Sequence, residues 1–294
     1  MGQVISQVIA IAPFFCISLI LALSCFIVLK AGEISFGQQA FFGTGAYSGA
    51  VLTAMFDWPL VPALAVSAAA GAALAGFAGL SLCRVSGFRF TLMTLVLGEF
   101  AREIFVKIEW RRTLDGRTTG PEGPLGFSGI EYYYANQIQP VAQALISTGV
   151  AVLCLAVIWL YWRGGPGRRL DAVAGDSGLA ASLAIDPVRT RLQAFGLAGA
   201  MAGLGGGLFA HHAAYIEASN FSLMMGVHAV AYTLMGGLAN VLGPVLGTAV
   251  DIVFLEGLRV VGAYRMVAFG SLIVVLLIVR PQGLLGARSG GGSR

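Results

Sequence analysis

Apolar residues in this chain gather into long runs separated by short polar breaks; they do not alternate with a period of two. Runs can be marked at residues 8–29, 34–56, 60–83, 88–108, 141–162, 192–215, 223–238, 241–261 and 267–279. Most approach the ~20 residues that an α-helix needs to cross a hydrocarbon layer. The pattern therefore predicts an all-α polytopic membrane protein with about nine spans. Runs 223–238 and 267–279 are short enough to be tilted, broken or re-entrant, which widens the expectation to eight to ten. The second run stands apart. It reads ISFGQQAFFGTGAYSGAVLTAMF, with Gln38, Gln39 and four glycines. Such a helix faces lipid poorly and suits close packing or the lining of a polar cavity.

Composition supports the membrane reading. Hydrophobic residues make up 57% of the 294, glycine adds another 41, and 11% are charged against roughly 25% in an ordinary soluble domain. That is too little polar material to cover a soluble globule, and too apolar for a disordered chain. The opening MGQVISQVIA holds no Lys or Arg, so a signal-peptide n-region is missing and the first run is expected to remain as a span. Two stretches are long enough to be extramembrane loops, 109–140 and 163–191, the second with a helical middle. Residues 1–286 read as one transmembrane domain, followed by a flexible tail at 287–294.

The net charge of +4 does not mark a nucleic-acid surface, because the basic residues lie dispersed between apolar runs. With loop 163–191 in the cytoplasm, Lys30, Arg84, Arg89, Arg163, Arg168, Arg169, Arg189, Arg191, Arg280, Arg288 and Arg294 fall inside. Lys107, Arg111, Arg112, Arg117, Arg259 and Arg265 fall outside, and Arg102 lies within a span. Eleven against six follows the positive-inside bias. Nine spans then place the N-terminus outside and the C-terminus in the cytoplasm.

Little in the chain suggests chemistry of its own. There is no GxxxxGK[ST] phosphate loop and no HExxH, and with three histidines a metal site is not expected. Cys16, Cys25, Cys83 and Cys154 sit in apolar runs without metal-ligand or CxxC spacing and read as small buried hydrophobes. Gly175-Asp176-Ser177-Gly178 fits the short GxSG pattern of intramembrane serine proteases, but it lies in the most polar loop of the chain. The pairs Gly45/Gly49, Gly199/Gly203, Gly203/Gly207 and Gly243/Gly247 are GxxxG spacings that let helix backbones approach closely. Glu99, Arg102 and Glu103 share one face of the fourth run, and Asp251 and Glu256 lie in the eighth. Intramembrane charges either line a polar pathway or form structural ion pairs near an interface. His211 and His212 close the sixth run and read as interfacial. Loop 163–191 offers one short amphipathic helix, with Leu170, Val173, Ala174, Leu179 and Leu183 beside a basic start. That is a surface on which an external motor could push, or a helix lying on the bilayer.

At this point the residues resemble a known family. GEISFGQQAFFGTGAYSGAVL is similar to the segment G-x-x-S-L/F-G-x-A-x-F-x-G-x-G-A-Y of branched-chain amino acid ABC-transporter permeases of the LivH/LivM type. The resemblance continues through TTGPEGPLGFSGI, GRRLDAV with AASLAI, AFGLAGAMAGLGGGLFAHHAAYI, LMGGLANVLGPVLGTAV and RPQGLLG, covering residues 21–286. Two departures stand out. Gly178 occupies a place where the family usually has an acidic residue, and Ala184 one where it usually has glycine. Family members also usually carry one further span before the first run, so the resemblance implies the ten-helix importer fold less its first helix.

What the resemblance implies is a permease subunit of a binding-protein-dependent importer in the bacterial inner membrane. Its partners would be a second homologous permease, two ABC ATPases and a periplasmic solute-binding protein, within the lipid membrane and with no nucleic acid. No cofactor is expected in this chain, since ATP and Mg would be bound by the ATPases. Arg168, Arg169, Leu170, Asp171, Ala180, Ala181, Leu183 and Ile185 would couple to the ATPase. Ser35, Gln38, Gln39, Gly43, Gly45 and Tyr47, with the break at Gly236, Gly237 and Gly243, are expected to line the translocation path. The competing expectation is a stand-alone secondary transporter or channel, whose coupling ion would need Glu99, Asp251 or Glu256.

Overall fold

The computed structural model describes residues 2–114, 117–257, 265–280 and 282–285. Every predicted apolar run falls on a helix, although run 241–261 ends beyond the described residues. The helices are α1 (Gly2–Lys30), α2 (Gln38–Phe56), α3 (Leu60–Leu82), α4 (Phe88–Lys107), α5 (Tyr132–Ala135), α6 (Pro140–Arg163), α7 (Gly165–Gly175), α8 (Ser177–Ser182), α9 (Pro187–Ala213), α10 (Leu223–Gly236), α11 (Gly243–Gly257) and α12 (Arg265–Val279). Ile9–Lys30, Leu60–Leu82, Pro140–Arg163 and Pro187–Ala213 are long and apolar enough to cross a bilayer unaided, and Leu223–Gly236 and Val267–Leu276 are shorter apolar helices. The fold is that of an all-α polytopic membrane protein.

Local signals in the chain set many helix boundaries. Pro140 and Pro187 open α6 and α9, where a missing N–H is harmless. The Asp186 carboxylate caps α9 by accepting from the Val188 and Arg189 N–H groups at 2.9 and 3.1 Å. Residues 34–37, counted in the second apolar run, stay outside α2, which begins at Gln38.

The expected loop at 109–140 contains regular structure that its apolar content did not announce. Three short antiparallel strands, β1 (Arg112–Leu114), β2 (Arg117–Pro121) and β3 (Phe127–Ser128), pair in the order β1-β2-β3. Phe127 exchanges both backbone hydrogen bonds with Ile216, at 2.7 and 3.1 Å, fastening the sheet to the segment after α9.

Two ends of the bundle can be told apart. At one, Lys30 meets Asp171, and Glu33 meets both Gly87 and Arg191. At the other, Phe56 meets Trp110 edge to face and the Leu60 N–H donates to the Tyr132 hydroxyl. Helices α1, α2, α3, α4, α6 and α9 therefore alternate in direction. The basic residues from Lys30 to Arg89 and from Arg163 to Arg191 collect at the Lys30 end.

The centre is a three-helix group of α2, α3 and α9. A Cβ on Gly45 or Gly71 would collide with the backbone of Gly203 or Gly199, and one on Gly203 would collide with the Ser67 carbonyl. The GxxxG spacings of α2 and α9 thus face each other and the small residues of α3, which brings backbones into van der Waals contact. Gly203→Ala should destabilise the chain by about 1–3 kcal/mol, the usual cost of overpacking. Gly196→Ala, on the same helix with open space around it, should be neutral. Thermal melts of the detergent-solubilised variants check this, and equal melting temperatures would contradict the packing described.

Candidate translocation and coupling sites

In the connection between α1 and α2, Ala31, Gly32 and Glu33 bond back to the last turn of α1, and the backbone groups beyond them need other partners. Side-chain hydroxyls supply several. Thr94 Oγ accepts from the Phe36 N–H at 3.2 Å, Thr91 donates to the Ile34 carbonyl at 2.9 Å, and Ser35 Oγ accepts from the Gly37 N–H at 3.2 Å. Ser24 then donates to Gln38 Oε1 at 2.7 Å. Ser24 lies six residues before the end of α1, about 9 Å of helical rise, so α2 starts inside the bundle. A helix that begins within a membrane domain exposes its first N–H groups there, the arrangement that transporters use around solutes.

Ser35, just before α2, and Gln38, Gln39, Gly43, Gly45 and Tyr47 in its first half are all buried. They face different neighbours. Gly45 lies against Gly203 of α9, Gly43 against Phe105 and Phe221, and Tyr47 stacks on Phe105 with ring centroids 4.9 Å apart. Gly236, Gly237 and Gly243 form a separate cluster at the turn between α10 and α11. There the closing segment bonds back, with the Leu284 N–H donating to the Met235 carbonyl at 2.9 Å and the Leu285 N–H to the Gly236 carbonyl at 3.0 Å. The α10 residue that meets Gln39 is Gly226, ten residues and about 15 Å of helix away from that turn.

Loop 163–191 holds two short helices where the sequence suggested one. The break comes at Asp176, whose carboxylate accepts from the Gly178 and Leu179 N–H groups at 2.8 and 3.0 Å and caps α8. The GxSG match is thus a helix cap. Helix α7 buries Leu170 and Val173 against the bundle, with Arg168 and Arg169 exposed. Asp171 is clamped from two sides, by Lys30 Nζ at 3.0 Å and by the Trp162 indole N–H. Helix α8 buries Ala180 and turns Ala181, Leu179 and Leu183 outward, while Ile185 is half-buried.

A second clamp holds the same connection, and nothing in the local sequence announced it. Glu33, 5% exposed, accepts from the Gly87 N–H at 2.7 Å and pairs with Arg191 at 3.4 Å. Burial pushes its carboxyl up from the ordinary glutamate value, with the Gly87 hydrogen bond and the Arg191 charge opposing. This joins the α1–α2 connection to the α3–α4 turn and to α9.

The intramembrane charges divide. Arg102 pairs with Glu99 at 2.8 Å and Glu103 at 2.7 Å on the outward face of α4. Asp251 is buried in α11, and the Glu256 side chain lies outside the described residues. His211 is 2% exposed, deeper than an interfacial residue. It donates through Nδ1 to the Gly207 carbonyl at 2.6 Å, and its Nε2 stands 2.9 Å from Thr53 Oγ.

Comparison with known proteins decides what this arrangement belongs to. A family described as the branched-chain amino acid transport system / permease component matches residues 7–279. The chain belongs to this permease family. It is 28% identical to the high-affinity branched-chain amino acid transport system permease protein LivM of Escherichia coli (strain K12) and 27% identical to that of Salmonella typhimurium (strain LT2). Each alignment covers 94% of this chain and 69% of the relative. No solved structure matches the chain.

One departure from the permease pattern has a physical reading. Ala184, where the family usually has glycine, sits at φ 59°, a left-handed conformation that opposes a Cβ. Ala184→Gly should stabilise the α8–α9 turn by about 1 kcal/mol, seen as a raised melting temperature. For Glu33, a pKa raised in the folded state means that proton binding favours folding. Its contribution is fully present below the ordinary glutamate range and is lost as pH rises through the raised value. Melting temperatures of the native chain should therefore fall relative to Glu33→Gln as pH rises upward from the ordinary glutamate value of about 4.3. Parallel curves would contradict this.

Proposed function

We propose that this chain is a permease subunit of an ATP-driven importer that carries branched-chain amino acids across the bacterial inner membrane by alternating access. The named relatives support the solute class, and the family supports the role of permease. The observation that carries the motor-driven reading is the surface of α7 and α8. Leu179 and Leu183 are 61% and 67% exposed at the end of the bundle where basic residues gather, which suits the cytoplasmic side and a protein partner there. The chain has no phosphate-binding loop, so ATP would be hydrolysed by two partner ATPases. A second permease would complete the path, and a solute-binding protein would deliver to the opposite end. The C-terminus would then be cytoplasmic.

In this reading, movement of α7 reaches the start of α2 through Lys30 and Asp171, while Glu33 ties α2 to α4 and α9. Solute passes near the buried polar groups at the start of α2. Pull-down of the full chain from its native membrane should recover a second permease and two ATPases. Recovery of the chain alone would favour a secondary transporter. Replacing Leu179 and Leu183 together with Asp should abolish leucine uptake and leave membrane insertion intact. Normal uptake by that double variant would remove α8 from the motor contact.

A further inference from the structure

The side chain of Gln39 is entirely buried, and neither its Nε2 nor its Oε1 has a hydrogen-bond partner among the described residues. The neighbouring Gln38 is better served, since its Oε1 accepts from Ser24, although its Nε2 is also unpartnered. A buried carboxamide that makes no hydrogen bonds lowers stability, and native structures rarely keep one without a use. Room for this amide is made by two glycines on two other helices. A Cβ on Gly98 of α4 would collide with Nε2, and one on Gly226 of α10 would stand 2.7 Å from Oε1. Packing alone would be met by a small apolar residue here, and the family segment carries alanine at this position. Whichever way the amide is turned, it holds a donor and an acceptor side by side in a place where the resting fold uses neither.

The surroundings suit a small solute. Across the first turn of α10 lies an open-sided, mainly apolar groove of about 270 Å³, with Phe14, Leu21, Met224 and Met225 among its walls beside the polar Asn220 and His228. This is near the lower end of small-molecule sites, ~300 Å³. Met225 lines the groove and the next residue, Gly226, covers Gln39, so only this turn separates the two. Shifting it would join an apolar space fit for an aliphatic side chain to an amide fit for a polar head.

We propose that Gln39 is a solute-contacting residue whose carboxamide pairs with the amino and carboxylate groups of an α-amino acid while the aliphatic part occupies the adjoining groove. In the conformation described here the amide is covered, and it is uncovered when α10 or α4 moves away from α2. This rests on the importer reading above.

The test uses leucine, isoleucine and valine uptake by the complete transport system in membrane vesicles, together with melting temperatures of the solubilised chain. Gln39→Met should raise the melting temperature, because the unpartnered amide is gone. It should also raise KM ~10-fold for all three solutes alike, the scale of one or two lost hydrogen bonds, with the maximal rate kept. Gln39→Ala, the residue of the family segment, should give the same KM shift and serves if the Met variant does not insert. An unchanged KM in both variants would overturn the proposal while leaving the importer reading in place. So would a fall in maximal rate at constant KM, which marks a structural role. No uptake of any of the three by the unaltered system would overturn the importer reading and this assignment with it.

Discussion

Backbone-to-backbone contact among α2, α3 and α9 is the constraint on which the other parts of this permease depend. Within lipid, apolar side chains gain little by leaving one apolar surrounding for another, so helices are held by dispersion at short range and by polar contacts. Glycines at 45, 71, 199 and 203 allow that range. They also fix which face of α2 points where. With one face pressed on α9, Gln38, Gln39 and Gly43 are left to meet α1, α4 and α10. The polar start of the helix is thus placed by a contact between residues that have no side chains.

The second organising feature is the break between α1 and α2. Serine and threonine hydroxyls bond its backbone, and two charged clamps hold its α1 side, Lys30 with Asp171 and Glu33 with Arg191. The first clamp touches α7, which packs on the bundle through Leu170 and Val173. The second touches α9 and the turn before α4. One short segment therefore connects the candidate coupling surface of α7 and α8, the packed centre and the buried amides. Such a connection can transmit a displacement because its members are rigid helices joined by a few short polar contacts.

Legibility from sequence followed the range of the interaction. Apolar runs fell on helices because hydrophobicity along a segment is decided within that segment. The caps at Asp176 and Asp186 act over three residues, yet Asp176 stood in the sequence only as part of a GxSG match, and the structure showed both caps. The small sheet at 112–128 escaped because its strands have two to five residues and no apolar run. The division of 163–191 into α7 and α8 escaped because one amphipathic pattern fits both pieces until the cap at Asp176 separates them. His211 was read as interfacial from its place near a helix end, and only the packing of α2 and α5 around it decides that it is buried.

What the sequence determined by itself was the class of solution: a membrane bundle of helices, their approximate bounds, the small-residue stripes and a permease pattern. The first three follow from composition and spacing along one stretch of chain, and the last from the resemblance to a known family. The tertiary structure alone decided partnership. It set Glu33 beside Arg191 and Gly87, laid Ser24 against Gln38, and closed Gly98 and Gly226 around Gln39. These pairs are far apart in sequence, and no local signal specifies which helix lies against which. That choice is made by the backbone contacts of α2, α3 and α9, which orient every other face.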